Sequence, residues 1–416
     1  VQTCALPIYH DTGRLKEAFG LTEVKWQAKG FYYDAEKRPG KSIYHEAGAY
    51  YIQEPSAMVP AGRLGAKKGE YILDLCAAPG GKSTQIAADM QGQGVLVSNE
   101  IVPQRAKILS ENIERFGIKN AIVTSMDPHD MCGHFPEFFD RIIVDAPCSG
   151  EGMFRKNEEA IGEWSRENVH MCAQRQRDIL SSAAQMLCPG GTIVYSTCTF
   201  SVEENEDTIK HFLSTHPDFH TVKTKKTDGM REGIGLEDAI RIFPHLSKGE
   251  GHFVCVLKKE GEPTKREGRL SKNALEKGIK EESAAEYMEF AKQNLTERPK
   301  GVLIKFGERL CLLPEGAPSL KGLKVVRAGL ELGTIKKGRF EPAHALTHAL
   351  DKKYFRYDAA VDKDTAVKYI SGQTFPYEGK NGWYRINYEG YGISWGKLAA
   401  GIMKNHYPKG LRRPAY

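Results

Sequence analysis

The stretch that most constrains this chain is Tyr71-Ile-Leu-Asp-Leu-Cys-Ala-Ala-Pro-Gly-Gly-Lys-Ser-Thr84. Tyr71 to Leu75 is short, apolar and bounded by turn signals, the pattern of a strand buried in a parallel sheet. Pro79-Gly80-Gly81 permits a tight turn and a close approach of backbone to ligand, because glycine carries no Cβ. Lys82 to Met90 continues as a helix whose free N–H groups face that turn. Strand, Gly-rich turn and helix in this order lay a nucleotide-like ligand over the strand's carboxyl end. Two familiar ligand loops fail here. A phosphate loop requires a glycine where Cys76 stands, and the adjacent Gly80-Gly81 pair breaks the spacing of a dinucleotide fingerprint.

From residue 71 onward, short apolar strands alternate with helices, which implies βαβ units and a parallel sheet. Gly94 to Asn99 is a second strand, ending at Glu100. Pro103 opens the next helix, which runs to about Phe116. Ala121 to Met126 ends at Asp127, and Arg141 to Val144 at Asp145. A long helix over Ser165 to Leu187 is expected to stop at Pro189-Gly190-Gly191, before a fifth strand over Thr192 to Ser196. Ser201-x-x-Glu204 has the form of a capping box opening the following helix. His252 to Lys258 is a late strand, antiparallel in this class of fold. Acidic or cysteine residues thus recur at strand carboxyl ends, where open α/β sheets place their ligands.

Three strings in this order carry chemistry: Asp74-x-Cys-Ala-Ala-Pro-Gly-Gly-Lys82, Asp145-Ala-Pro-Cys148-Ser-Gly150 and Ser196-Thr-Cys198-Thr-Phe200. They resemble motifs I, IV and VI of the Nop/Sun family of RNA (cytosine-5) methyltransferases. The resemblance implies a class I methyltransferase fold dependent on S-adenosylmethionine (AdoMet), with a Rossmann-like, mostly parallel seven-stranded sheet. It implies that Cys76, Ala77, Ala78, Pro79, Gly80, Gly81 and Lys82 wrap the cofactor, with S-adenosylhomocysteine as product. Glu100 would bind the ribose hydroxyls and Asp127 the adenine amino group. Cytosine C5 is too weak a nucleophile unless a thiolate first adds to C6. By resemblance that nucleophile is Cys198, with Cys148 assisting release and Asp145, also near the cofactor, holding the N3/N4 edge. DNA cytosine methyltransferases use a Pro-Cys nucleophile, which keeps Cys148 as the second candidate. Arg105 is set aside as a helix-surface charge.

Around this core, residues 1–60 form an N-terminal RNA-binding module and lead-in, shorter than the family's usual one, with Val1 to Ile8 matching nothing in style. Residues 61–260 are the methyltransferase domain, and 261–343 a linker with an exposed helix, then a first C-terminal α+β domain. That domain contains a hairpin of Val302–Phe306 and Arg309–Leu313. Residues 344–416 resemble the PUA-like RNA-binding tail of the bacterial RsmF-type ribosomal-RNA methyltransferases. Charge divides along the same line. Residues 261–416 carry 29 Lys and Arg against 18 Asp and Glu, while residues 1–260 carry 30 against 35. A basic rear behind a near-neutral front suits RNA, although a surface kept basic for solubility gives the same count. In Gly382-Trp-Tyr-Arg-Ile-Asn-Tyr through Arg413, rings that stack on bases interleave with cations that meet phosphates.

Composition sets the remaining bounds. No apolar run approaches the roughly 20 residues that cross a bilayer. Nine cysteines without a C-x-x-C pair argue against a disulfide framework or zinc ribbon, so no metal and a reduced, cytoplasmic setting are expected. The reading is an RNA cytosine-5 methyltransferase, a monomer away from membranes, acting on ribosomal RNA or the small ribosomal subunit. A transfer-RNA enzyme of the same family, a catalytically idle RNA-binding or ribosome-assembly protein, and an NTP-dependent enzyme using Gly81-Lys82-Ser83 stay open.

Overall fold

The computed structural model describes residues 4–7, 12–156, 158–227, 229–263 and 275–413. Its centre is a ten-stranded sheet. We number its principal strands β1 (Tyr71–Asp74), β2 (Val95–Asn99), β3 (Ala121–Thr124), β4 (Phe139–Asp145), β5 (Leu187–Thr197), β6 (Leu236–Ile242), β7 (His252–Lys259) and β8 (Val325–Ala328). Their spatial order is β6-β7-β5-β4-β1-β2-β3-β8. β1 pairs in parallel with both β2 and β4, so the chain direction of its crossovers reverses beside it. β7 joins β5 antiparallel, as expected of the late strand. The six strands read from the sequence are all present; Phe219–Thr221, Met230–Gly233, β6 and β8 are additions.

The strands are continuous apolar runs because helices cover both faces. Ile72, Leu73, Leu96, Val97, Ile122, Val123, Ile142 and Ile143 have no solvent exposure at all. Two apolar clusters lie on opposite faces of the sheet, one around Tyr71, Leu73 and Phe138, the other around Ile72, Ile86 and Leu109. Helix α1 (Gly81–Met90) follows β1, α2 (Pro103–Arg115) follows β2, and α3 (Arg166–Met186) precedes β5. None of the described helices is long and apolar enough to cross a membrane.

Three local expectations are corrected. α3 does not stop at Pro189-Gly190-Gly191; it passes into β5 at Leu187, and those residues lie within the strand beside a register shift against β4. The capping box forms only by half. Ser201 Oγ accepts the Glu204 N–H at 3.3 Å, but the Glu204 carboxylate turns into the core and the helix begins at Glu206. The helix expected to be exposed after residue 260 is Ala285–Asn294, and it buries Tyr287, Phe290 and Ala291 against the strands behind it.

The Val302–Phe306 and Arg309–Leu313 hairpin is present within a four-stranded sheet. From the same part of the chain, β8 crosses over and extends the central sheet by pairing antiparallel with β3. Arg327 on β8 is buried and its guanidinium grips Glu114 of α2. The tail is a five-stranded sheet over Asp358–Ala360, Gly382–Tyr388, Tyr391–Ala399, Ile402–Asn405 and Phe375–Pro376, backed by the helix Lys363–Ile370. The N-terminal strands Cys4–Pro7, Thr22–Glu23, Phe31–Tyr32 and Tyr50–Gln53 form a fourth sheet, which leads into the central domain.

Candidate active site

The crevice lies at the carboxyl ends of β1, β2, β3, β4 and β5, around the reversal point beside β1, where open α/β sheets bind ligands. A cavity of about 910 Å³ opens there, and Cys76, Ala78, Glu100, Asp127, Asp145, Cys148 and Cys198 all line it. The remaining residues of the Gly-rich string shape the turn from behind. The Ala77 N–H donates to the Asn99 carbonyl at 2.8 Å, and the Pro79 carbonyl accepts from Asn112 Nδ2 at 2.8 Å. Gly80 has φ +118°, where an L side chain is strained, and a Cβ at Gly81 would lie 3.0 Å from Gln53. Lys82 leaves the first turn of α1 and crosses to β4, its Nζ 2.6 Å from Asp145 Oδ2.

Asp145 is the most heavily supported of these groups. Ser196 Oγ donates to its Oδ1 at 2.6 Å, and His252 Nε2 lies 3.9 Å from the same oxygen. Burial would raise its carboxyl, but the Lys82 ammonium and these neighbours outweigh that and hold it below the usual carboxylate range. Lys82 is likewise pulled down by burial and held above its ordinary value by Asp145. His252 is itself buried and anchored on Ser56, whose hydroxyl donates to Glu54. Since Ser56 spends its proton on the carboxylate, its oxygen accepts from His252 Nδ1 at 3.0 Å, which leaves Nε2 facing Asp145.

The two cysteines stand together, Sγ to Sγ 3.2 Å apart, each on the loop after its own parallel strand. The loops are tied: the Gly152 N–H donates to the Cys198 carbonyl at 2.7 Å, and Glu151 accepts from Thr199 Oγ1 and the Phe200 N–H. The Cys198 contact, then burial, then the nearby Glu204 charge push the Cys148 thiol well above its usual range. Cys148 therefore holds its proton at neutral pH.

At the other end of the cavity, Glu100 accepts the Val102 N–H at 3.0 Å and faces Arg105, whose Nη1 is 3.4 Å from Oε2. Arg105 also donates to the Ala78 carbonyl at 3.1 Å, so it joins the β2 end to the Gly-rich turn. Arg105 is exposed on the helix surface as expected, and from there it also lines the cavity. Asp127 caps the short helix Pro128–Cys132, its Oδ1 accepting the His129 N–H, and the residue also lines the cavity. Ser196, His252 and Glu204 were not read from sequence as site residues. Ser196 adjoins the Thr-Cys pair, whereas His252 gives no local signal.

With this geometry in place, similarity to known proteins becomes informative. The model of the 16S rRNA methyltransferase RsmB/F family matches residues 61–258. Models of the RsmF N-terminal domain, first C-terminal domain and PUA domain match residues 8–55, 289–350 and 356–413. The chain is 34% identical over 410 residues to ribosomal RNA small subunit methyltransferase F of Vibrio vulnificus, covering 96% of this chain and 87% of that protein. It is 35% identical over 408 residues to the Vibrio cholerae protein of the same name, covering 94% and 86%. Among solved structures, a methyltransferase homolog protein from Pyrococcus horikoshii superposes with TM-score 0.53 at 26% identity, covering 62% of this chain and 87% of that one. NSun6 from Pyrococcus horikoshii gives TM-score 0.55 at 22% identity, covering 63% and 92%, a likeness of fold.

Proposed function

The chain belongs to the 16S rRNA methyltransferase RsmB/F family, and from that membership we propose that it methylates C5 of a cytosine in small-subunit ribosomal RNA. It is a methyltransferase whose cofactor is AdoMet. The cavity suits that cofactor: its volume lies in the range of small-molecule sites, with carboxylates at the β2 and β3 ends and apolar Ile101, Val102 and Ile179 between. Glu100 would accept the ribose hydroxyls, Asp127 the adenine amino group, and the turn from Cys76 to Lys82 would hold the remainder. When bound, AdoMet supplies an electrophilic methyl group.

The observation that carries the cytosine-5 reading is the pair of thiols 3.2 Å apart beside Asp145 on one cavity. Methyl transfer to an oxygen or an exocyclic nitrogen has no use for two cysteines. C5 does, because it becomes nucleophilic only when a thiolate adds at C6. Cys198 forms the S–C6 bond and the C5–C6 π pair moves to C5. Asp145, held by Lys82 and Ser196, orients the N3/N4 edge. After methylation the C5 proton leaves and Cys198 is expelled, with Cys148 assisting. Both C5 and C6 must be reached, so the base is taken unpaired or flipped from its stack. One copy of the chain supplies every group named, so a monomer suffices.

Bisulfite sequencing of total RNA from the host with and without the gene tests this. The expected result is one cytosine in small-subunit ribosomal RNA that loses protection in the knockout. An unchanged pattern across all RNA would sink the cytosine-5 assignment.

A further inference from the structure

We propose that Glu204 is the positioning residue that makes Cys148 the proton carrier of the pair and leaves Cys198 to act as nucleophile; this rests on the cytosine-5 reading. Glu204 has no solvent exposure. Its Oε2 accepts the Ser149 N–H at 3.0 Å and Gln176 Nε2 at 2.7 Å, and its Oε1 accepts Ser149 Oγ at 2.5 Å. Gln176 also donates to the Pro147 carbonyl at 3.0 Å. The residues on both sides of Cys148 are therefore tied to this one carboxylate and its partner. Ser149 Oγ lies 2.9 Å from Thr199 Oγ1, the residue after Cys198, so the same anchor sets the spacing of the two thiols. Three donors converge on two oxygens, an arrangement that calls for an ionised carboxylate.

Glu204 contributes a buried negative charge as well as geometry. A negative charge beside a thiol disfavours its thiolate, and low dielectric strengthens the effect. Burial outweighs the Ser149 and Gln176 donors and holds Glu204's own carboxyl above its ordinary value. The consequence for the reaction lies in release. As the S–C6 bond breaks, its electron pair returns to Cys198 Sγ, which takes the proton of Cys148. The Cys148 thiolate so formed takes the proton leaving C5, whose C–H pair restores the C5–C6 double bond. Without the Glu204 anchor the residues on both sides of Cys148 are released, its thiol is no longer held against Cys198 Sγ for proton transfer, and the adduct persists.

The test compares Glu204→Gln and Ser149→Ala with the unaltered full chain. Iodoacetamide modification of Cys148, followed by peptide mass spectrometry across pH, reads its ionisation without RNA. In Glu204→Gln the midpoint is expected to fall by about one pH unit, a tenfold change in thiolate fraction. With RNA and AdoMet, the same variant should accumulate denaturant-stable protein–RNA adduct while AdoMet affinity holds. Ser149→Ala keeps the charge and removes the hydroxyl's contacts to Glu204 and Thr199, so its midpoint should stay while adduct rises severalfold. An unmoved midpoint in a Glu204→Gln protein that still binds AdoMet overturns the proposal. So does a Ser149→Ala protein with no added adduct, should Glu204→Gln fail to fold. If the unaltered chain forms no 5-methylcytosine, the reaction assignment fails separately, and the alkylation midpoints still decide the role of Glu204.

Discussion

At the carboxyl edge of the central sheet polar groups turn inward and are matched to one another, whereas in the tail most rings turn inward and the lysines outward, with Arg385 alone among the named cations buried against Asp358. Lys82 meets Asp145, Ser149 meets Glu204, and His252 meets Ser56, all in or beside one cavity. In the tail, Tyr384, Tyr391, Trp395 and Tyr407 are each at most 5% exposed, while Lys380, Lys397, Lys404 and Lys409 stay in solvent. The first region needs groups whose ionisation is fixed in advance, and burial among partners fixes it. The second needs only a stable surface bearing charge. Chemistry and grip are separable on this view, and variants should divide accordingly.

The largest separation is expected at Cys198. Cys198→Ala removes the C6 nucleophile, so methyl transfer should fall by about 10³-fold or more, while AdoMet binding followed by calorimetry stays within twofold. Retained turnover would move the nucleophile to Cys148. Cys148→Ala should act later in the same cycle. We expect turnover lowered by roughly 10²-fold, with the RNA trapped as a covalent band on a denaturing gel. Free turnover without that band would break the division of labour between the two thiols.

Acid should separate the regions by stability. His344 and His348 are half-buried where the helix His344–Ala349 meets the strand Tyr391–Ala399, and desolvation there lowers both, His348 to about 4. Above pH 6.5 such a group is neutral whether folded or not and costs nothing. As pH falls from 6.5 toward 4 the unfolded chain binds the proton first, and stability is lost. The loss should amount to about 3 kcal/mol for His348. Denaturant melts from pH 7 to 4, read through tail tryptophans Trp383 and Trp395 with Trp26 and Trp164 changed to Phe, should show the midpoint falling. His348→Gln should flatten that dependence.

The catalytic edge was legible in sequence because its residue types fall at positions fixed by strand periodicity. Asp74, Glu100, Asp127, Asp145 and Cys198 each sit where an apolar run ends, and parallel pairing brings such ends together. Supporting groups were less visible. Glu204 sits three residues after a serine, just before a helix, and local pattern cannot tell a cap from a carboxylate facing inward to a loop fifty-five residues earlier in the chain. His252 depends on Glu54 and Ser56, nearly two hundred residues away, a relation that no period encodes. In the tail two readings overlap. Rings interleaved with cations suit both an RNA platform and a small β core, and only packing shows that Trp395 and Tyr407 belong to the core.

The finest test concerns what the tail retains for RNA once its rings are committed to packing. Trp383, Lys397 and Lys404 stand directly opposite one another on three adjacent strands, so they share a face. Lys397 Nζ lies 5.2 Å from the Trp383 ring centre. Two like charges directly opposite on neighbouring strands repel, and the Trp383 ring compensates only Lys397. An RNA phosphate between them would reverse the sign. Replacing both lysines with alanine should therefore raise the KM for RNA severalfold with kcat unchanged. The log–log slope of affinity against salt should shrink by about 1.5, from two lost contacts. The same change trades that repulsion for the lost Lys397–Trp383 contact, so the tail's stability should stay within about 1 kcal/mol. An unmoved KM and salt slope would mean that the basic tail serves solubility, and that grip on RNA resides beside the chemistry after all.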